Sequence, residues 1–177
     1  MSNKQQLQTN NTNLDALIAR VNVAKDTTAS LPDGGSGGSG DTSAEDSFLT
    51  KTITTYANDR VSNIRDCAFY NCTNLTSVSF PACINIGVSA FRSCSSLTSA
   101  NFPACINIGS SAFQFCSGLS SIYLLTSSVC TLANSNAFSG TSIWSTRGSI
   151  FVPASLVDSY KAATNWTFFS NRIFAYS

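Results

Sequence analysis

The chain of 177 residues contains no histidine, and this absence excludes several kinds of chemistry. Ser–His–Asp and Cys–His catalysis need an imidazole, as do all histidine-ligated metal sites. There is a single glutamate, Glu45, and charged residues make up 11% of the sequence, against about 25% in typical globular proteins. Few side chains are left for general acid–base catalysis. The sequence therefore predicts a protein that is not an enzyme and has no catalytic residue, metal ligand or cofactor.

Concentrated charge and long apolar runs are also missing. The formal net charge is +1, so there is no strongly basic face to attract nucleic acid or anionic lipid. No apolar run approaches the ~20 residues that a membrane span needs. Residues 1–6 lack the apolar core of a secretory signal peptide. We therefore expect no nucleic-acid partner, no membrane partner and no export by a signal peptide.

What the chain does contain is a repeat of 22 residues. The heptapeptide Pro-Ala-Cys-Ile-Asn-Ile-Gly at 81–87 returns unchanged at 103–109. Other columns recur at the same spacing, among them Ala68, Ala90 and Ala112, each followed by Phe, and Leu75, Leu97 and Leu119. A three-residue insertion then brings Cys130 into the Cys105 column and Ala137-Phe138 into the Ala-Phe column. A short fixed period of this kind is typical of a solenoid.

The pattern within each unit predicts the arrangement of the chain. One unit is too short to bury its own apolar residues, so stacked units must form ladders of like residues. Alternation in residues 119–124 predicts a short strand with one side inward, and the last strand is expected at 150–152. Four turns would give a parallel sheet on the order of 20 Å wide. Residues 110–116 are predicted to form a helical or 3₁₀ turn on the opposite side.

The unit written Ile-Gly-x-x-Ala-Phe-x-x-Cys-x-x-Leu, followed by alternating apolar positions and a proline, resembles the BspA-like class of leucine-rich repeats. The resemblance covers about residues 53–153, although some strand columns carry Phe or Ala where Leu or Ile is usual. It implies a leucine-rich-repeat-like solenoid, with short parallel strands on one face and short helical turns on the other. The family is associated with bacterial surface adhesins and includes phage-encoded proteins. Residues 152–166 are similar to the closing segment of gut-bacterial and phage versions.

The cysteines follow the repeat. Five of the seven are spaced by 11 residues, because two cysteine columns lie half a repeat apart: Cys72, Cys83, Cys94, Cys105 and Cys116. Structural zinc sites need paired ligands two to four residues apart, and these pairs do not have that spacing. Val61 occupies the Cys83 column in the first unit, so we predict that these cysteines are small, buried, apolar side chains. Disulfides between neighbouring turns are left open.

The sequence before the repeats predicts an anchor and a tether. Residues 1–11 are expected to be disordered, and 12–25 to form an amphipathic helix whose apolar stripe carries Leu14, Leu17, Ile18 and Val21. A helix of this length is marginal alone, so the stripe needs a partner. The partner could be the chain's own solenoid, a second copy in a homo-oligomer, or a capsid or tail. Residues 26–46 read as a flexible Gly/Ser linker.

The solenoid itself is predicted over residues 47–153, with 47–60 as its N-terminal cap. Residues 154–177 are predicted to form a C-terminal helix and an aromatic cap that covers the last turn, because an open solenoid end exposes apolar surface and strand edges. The alternative for these aromatic residues is a platform on which carbohydrate stacks.

The outward positions of the strands supply the candidate ligand-binding residues. One column is serine throughout, and the other contains Ser79, Asn101, Tyr123 and Phe151. This face is polar, nearly uncharged and aromatic towards its C-terminal end. Hydroxyls and amides offer hydrogen bonds, and Tyr123 or Phe151 offers a flat apolar face, which suits a neutral glycan or a protein patch. The alternative is that serine and threonine merely solvate the sheet.

Three classes of function follow from these features. The first is a phage virion-associated fibre or decoration protein, whose repeats adhere to a host or mucosal surface and whose N-terminal helix holds it to the particle. The second is a bacterial cell-surface adhesin of the BspA-like type, located at the cell surface or outside the cell. The third is an enzyme, which would need a pair of titratable side chains in a cleft. The thin supply of such side chains disfavours it.

Overall fold

The computed structural model describes residues 54–145 and 147–177. The anchor helix predicted over 12–25, with Leu14, Leu17, Ile18 and Val21, lies outside these residues and stays a prediction, as do the expectations for 1–11 and 26–46. The strands of the described part are β1 Thr55–Ala57, β2 Asn63–Ile64, β3 Ser77–Ser79, β4 Asn85–Ile86, β5 Ser99–Asn101, β6 Asn107–Ile108, β7 Ser121–Tyr123, β8 Thr131–Leu132, β9 Ser149–Pro153 and β10 Ile173–Tyr176. Its helices are the 3₁₀ helices η1 Ser135–Phe138, η2 Ala154–Leu156 and η3 Thr167–Arg172, and the α-helix α1 Val157–Ala162.

The strands form two parallel sheets, which confirms the predicted solenoid. The larger sheet has six strands in the order β1-β3-β5-β7-β9-β10, and the smaller has four in the order β2-β4-β6-β8. The repeat sets the register, since Val78 pairs with Ala100 one period later. The larger sheet exceeds the predicted four turns because β1 and β10 each add a strand at one edge. The predicted last strand at 150–152 is confirmed within the slightly longer β9.

The smaller sheet was not anticipated from the sequence. Its strands β2, β4 and β6 each consist of an Asn-Ile pair. The isoleucine is buried, while the asparagine amides bond along the stack: Asn107 Nδ2 donates to Asn85 Oδ1 at 2.7 Å, and Asn85 Nδ2 donates to Asn63 Oδ1. Identical amides in register can satisfy one another, so the repeat itself generates this ladder.

The core is a file of phenylalanine rings that runs through the stack. Phe69, Phe91, Phe113 and Phe138 lie face to face, with successive ring centroids 4.8, 5.2 and 5.5 Å apart and ring planes within 5° of parallel. The file ends at Phe169, which meets Phe138 edge-on at 5.4 Å. Aromatic residues of the C-terminal segment therefore cover the last turn of the core.

Side chains of the C-terminal segment also cover the free edge of β8, which is the last strand of the smaller sheet. Asn165 Nδ2 donates to the Leu132 carbonyl at 2.8 Å, and Trp166 Nε1 donates to the Cys130 carbonyl at 2.6 Å. The Cys130 amide in turn donates to the Tyr160 hydroxyl at 2.9 Å. The smaller sheet therefore ends on side chains that satisfy backbone groups, which would otherwise be costly to bury.

The turns opposite the larger sheet are less regular than predicted. Residues 110–116 make single hydrogen-bonded turns, and only the fourth unit forms a 3₁₀ helix, η1. The reason lies in the backbone: Ser111 and Phe115 adopt φ values of +57° and +62°, which interrupt helical geometry. Left-handed positions recur with the repeat, in one column at Cys67, Ser89 and Ser111 and in another at Asn71, Ser93, Phe115 and Gly140.

The cysteines are free thiols, and all but Cys67 are buried. Cys94 and Cys116 donate to backbone carbonyls of the preceding unit at 3.0 and 2.9 Å. Cys105 Sγ lies 3.8 Å from Cys130 Sγ. The prediction of small, buried side chains is confirmed for these columns, and Cys67 is the exception because it occupies an exposed turn.

Candidate functional site

The structure places the four predicted ligand-binding residues in a single row across the larger sheet. Ser79 pairs with Asn101, Asn101 with Tyr123, and Tyr123 with Phe151. All four side chains are partly buried on the outward face, while the residues between them, such as Ala100 and Ile122, are fully buried. Period-two alternation along short strands in register explains this arrangement.

The N-terminal part of this row is polar, and some of its hydrogen-bonding groups are already engaged. Asn101 Nδ2 donates to Ser79 Oγ at 3.1 Å, which orients the amide along the row. The Thr98 hydroxyl donates to the Thr76 carbonyl at 2.9 Å, so it serves the scaffold. None of the described outward residues of β1, β3, β5, β7 and β9 is charged. The face can offer directed hydrogen bonds to a neutral partner, but no ion pair.

The C-terminal part of the row is aromatic. The Tyr123 and Phe151 rings stack 5.0 Å apart at 14°, so each covers one face of the other. Tyr176 meets Tyr123 edge-on at 5.8 Å. The most exposed aromatic area in this region belongs to Phe174 and Tyr176 on β10, which are 46% and 50% exposed.

The sequence did not predict that Phe174 and Tyr176 join this row, because the aromatic residues after 153 were assigned to a cap, with a separate carbohydrate-stacking platform as the alternative. The signal in the sequence was the run of four apolar or aromatic residues at 173–176, and the structure shows that only the first of them, Ile173, is buried. Pairing of Phe174 with Phe151 then extends the row by one strand. The candidate binding face is therefore Ser79, Asn101, Tyr123, Phe151, Phe174 and Tyr176.

Burial favours the neutral form of two interior groups, Cys83 and Tyr160. Burial raises the pKa of the Cys83 thiol to about 12. Burial likewise raises the pKa of the Tyr160 hydroxyl to about 12. A thiol that stays protonated is a poor nucleophile and a poor metal ligand. Within 54–145 and 147–177, no group of three cysteine or acidic residues is placed to hold a metal ion.

A cavity of about 380 Å³ lies between β8 and residues 163–166. Its lining includes Thr131, Ala163, Asn165 and Trp166. The side chains of Asn165 and Trp166 already donate hydrogen bonds to carbonyls of residues 130–133. We therefore attribute this cavity to the contacts that cover the edge of the smaller sheet, and not to ligand binding.

Comparison with known protein families identifies the family to which the chain belongs. The BspA type leucine-rich repeat region matches the sequence in six copies over residues 45–176. The chain belongs to the BspA-type leucine-rich repeat family. A comparison with curated proteins gave no match. The six copies extend beyond residues 53–153, over which the repeat pattern is clear, and include the segment that forms β10.

Family membership indicates an adhesin-like role in protein–protein binding, since this leucine-rich repeat is generally a non-catalytic binding unit. BspA-type repeat proteins are typically found at cell surfaces or outside cells. Among the described residues, no helix has the length and apolar character to cross a membrane.

Proposed function

We propose that this BspA-type protein is a non-catalytic fibre or decoration protein of a phage virion, whose solenoid head adheres to a ligand on a host or mucosal surface. The observation that carries the binding role is the row from Ser79 to Phe151, continued by Phe174, on one rigid sheet. Rigid strands hold hydrogen-bonding groups and aromatic edges in fixed positions, so little conformational entropy is lost on binding.

The virion location rests on the sequence. The predicted helix over 12–25, the Gly/Ser linker over 26–46 and the solenoid form an anchor, a tether and a head, and similar repeats occur in phage proteins. The anchor would hold a capsid or tail, or would assemble copies into a homo-oligomer. A bacterial cell-surface adhesin is the second candidate, and the typical surface location of the family favours it.

The adhesion proposal predicts that Tyr123→Ala weakens binding to immobilised mucin by about tenfold or more, because truncation of a tyrosine at a binding hot spot costs about 2 kcal/mol or more. Surface plasmon resonance with the full chain measures this. Asn101→Ala should give a smaller loss in the same direction. Ile106→Ala is the matched control, since it removes an apolar side chain that is 43% exposed beside the smaller sheet. Mucin binding that is absent, or equal in all four proteins, contradicts the proposal.

The anchor proposal predicts that the full chain is a multimer in solution and that Leu17→Glu/Val21→Glu is a monomer. Two charges in an apolar helix seam cannot be buried without a large desolvation cost. Mass by light scattering distinguishes the two states. Ala16→Glu/Ala19→Glu adds the same charge on the opposite side of the predicted helix and should leave the mass unchanged. A monomeric wild-type chain would rule out self-association and leave a capsid, tail or solenoid as the partner of the helix.

A further inference from the structure

Phe115 differs in residue type from the other members of its column in the turns. In four successive turns, the same position adopts positive φ, at Asn71 (+60°), Ser93 (+64°), Phe115 (+62°) and Gly140 (+76°). Glycine and asparagine tolerate this region, whereas a bulky residue there is strained. The Phe115 ring is 49% exposed, so full burial in the core does not offset this strain. Strained backbone of this kind is concentrated at functional sites.

The Phe115 ring is held from two sides. On one side lies the guanidinium of Arg92, with Cζ 5.5 Å from the ring centroid. On the other side is Gly140, where an added Cβ would come within 2.8 Å of Phe115 Cδ1. The ring therefore has a fixed position on the surface, and Gly140 provides the space for it.

Arg92 is the second unusual group. Its Nε is buried and has no hydrogen-bond partner, and its guanidinium bonds to no carboxylate among the residues that the structure describes. A guanidinium carries five N–H donors in a planar fork. The described ranges contain three aspartates, and Asp66 Oδ1 accepts a hydrogen bond from the Val88 amide at 2.7 Å.

Tyr70 completes the cluster from the preceding turn. It occupies the Arg92 position one period earlier, and the two turns are joined by a bond from the Asn71 amide to the Arg92 carbonyl at 2.8 Å. The Tyr70 ring is 49% exposed. Tyr70, Arg92 and Phe115, which we call the turn patch, thus lie on three successive turns outside both sheets.

We propose that the turn patch is a second binding surface, separate from the face of the larger sheet, and that it takes an acidic peptide segment of a protein partner. A carboxylate pairs with the guanidinium fork of Arg92, and flanking apolar side chains pack on Tyr70 and Phe115. Arginine and tyrosine are the residue types enriched where interfaces concentrate binding energy. The fork matches the planar geometry of a carboxylate.

Charge complementarity selects this partner over other anions. The patch contains a single cation, which suits one carboxylate, whereas nucleic acid and other polyanions need several cations along a stripe. The two rings add apolar contacts that a simple anion cannot use. The folded protein already holds the Phe115 ring in place. Little side-chain conformational entropy is therefore lost at this residue when the partner binds.

The test uses fluorescence anisotropy of the full chain with short labelled peptides, in which paired Asp and Glu residues are flanked by leucine and phenylalanine. We expect the acidic peptides to bind and peptides with Asn and Gln in their place to bind at least about tenfold more weakly. Arg92→Gln should abolish the difference between the two sets. Arg92→Lys should restore only part of it, because lysine keeps the charge but lacks the fork.

Phe115→Asn separates a binding role from a structural one. Asparagine already occupies this column at Asn71, so the variant should raise the urea midpoint of unfolding while it weakens peptide binding about tenfold. Ser93→Asn changes the neighbouring member of the column and should leave binding unchanged. Equal binding of acidic and amide peptides, binding of heparin as tight as that of the acidic peptides, or a lowered midpoint for Phe115→Asn would each overturn the proposal.

Discussion

Replacement of Phe91 by alanine is expected to destabilise the protein by about 3–5 kcal/mol, as is usual for a large aromatic residue in a packed core. Phe91 is fully buried and stacks on Phe69 and Phe113 at 4.8 and 5.2 Å. It also contacts Phe80 and Phe102, whose rings stack on each other at 5.7 Å. Alanine leaves a cavity that the repeated backbone cannot collapse around, because both neighbouring turns are held in register. Domains are typically stable by only about 5–15 kcal/mol, so much of the stability would be lost.

Urea unfolding followed by circular dichroism measures this effect. Phe168→Ala is the matched control, because it is the same chemical change at a ring that is 57% exposed. That ring stacks on Trp144 at 4.4 Å, so we expect a loss of about 1 kcal/mol or less. Similar losses for the two variants would show that the central ring file does not carry the stability that its burial implies.

Stability is expected to fall steeply as the pH rises above about 9, because buried thiols and a buried phenol must ionise when the chain unfolds. Burial raises the pKa of Cys83 and of Tyr160 to about 12 in each case. The hydrogen bond with the Cys130 thiol, together with burial, raises the pKa of Cys105. Contact with the Cys116 thiol is the main cause of the raised pKa of Cys94.

The sign of the effect follows from proton counts. In the unfolded chain cysteine titrates near about 8.5 and tyrosine near about 10, whereas the folded protein keeps these protons to higher pH. Between the two pKa values of each group the unfolded state binds fewer protons, so the free energy of unfolding decreases by about 1.4 kcal/mol per pH unit per group. The contribution is fully present below pH ~8 and is lost as the pH rises towards the folded-state pKa values.

Urea midpoints between pH 7 and 11, measured with a reductant present, test this expectation. Cys83→Val should reduce the decline in stability with pH by the contribution of one ionisable group. Valine already occupies that column at Val61. Cys67→Ser is the control, because Cys67 is exposed and serine occupies its column at Ser89 and Ser111. A midpoint that stays constant up to pH 10.5 would refute the prediction.

The proposed binding face and the turn patch lie on different parts of the same stack. The face is the row that begins at Ser79 on the larger sheet, and the turn patch is centred on Arg92. Because neighbouring turns are bonded to each other at both places, each surface is fixed relative to the core. One rigid solenoid could therefore hold two partners. Variants of the larger-sheet face serve as controls in the peptide test, and variants of the turn patch serve as controls in the mucin test.

Much of the architecture was determined by the sequence alone, because a solenoid repeats its contacts at the period of its sequence. The 22-residue spacing fixed which residues pair, as in Ser77 with Ser99, and which side chains stack, as in Phe69 with Phe91. Alternation within each strand separated buried Ala100 from outward Asn101. These contacts need only the period and the inward–outward pattern, and both can be read directly from the residues.

The tertiary structure decided the features that depend on contacts outside the repeat. Ile173 pairs with Ile150 only because α1 and η3 return the chain to the sheet, so the candidate binding face gained Phe174 and Tyr176 from a segment that the sequence assigned to a cap. Stacking between Tyr123 and Phe151 depends on ring orientation, and the strain at Phe115 depends on its backbone angle. Period and composition do not encode such geometry, because it arises from the way particular side chains meet in space once the turns are stacked.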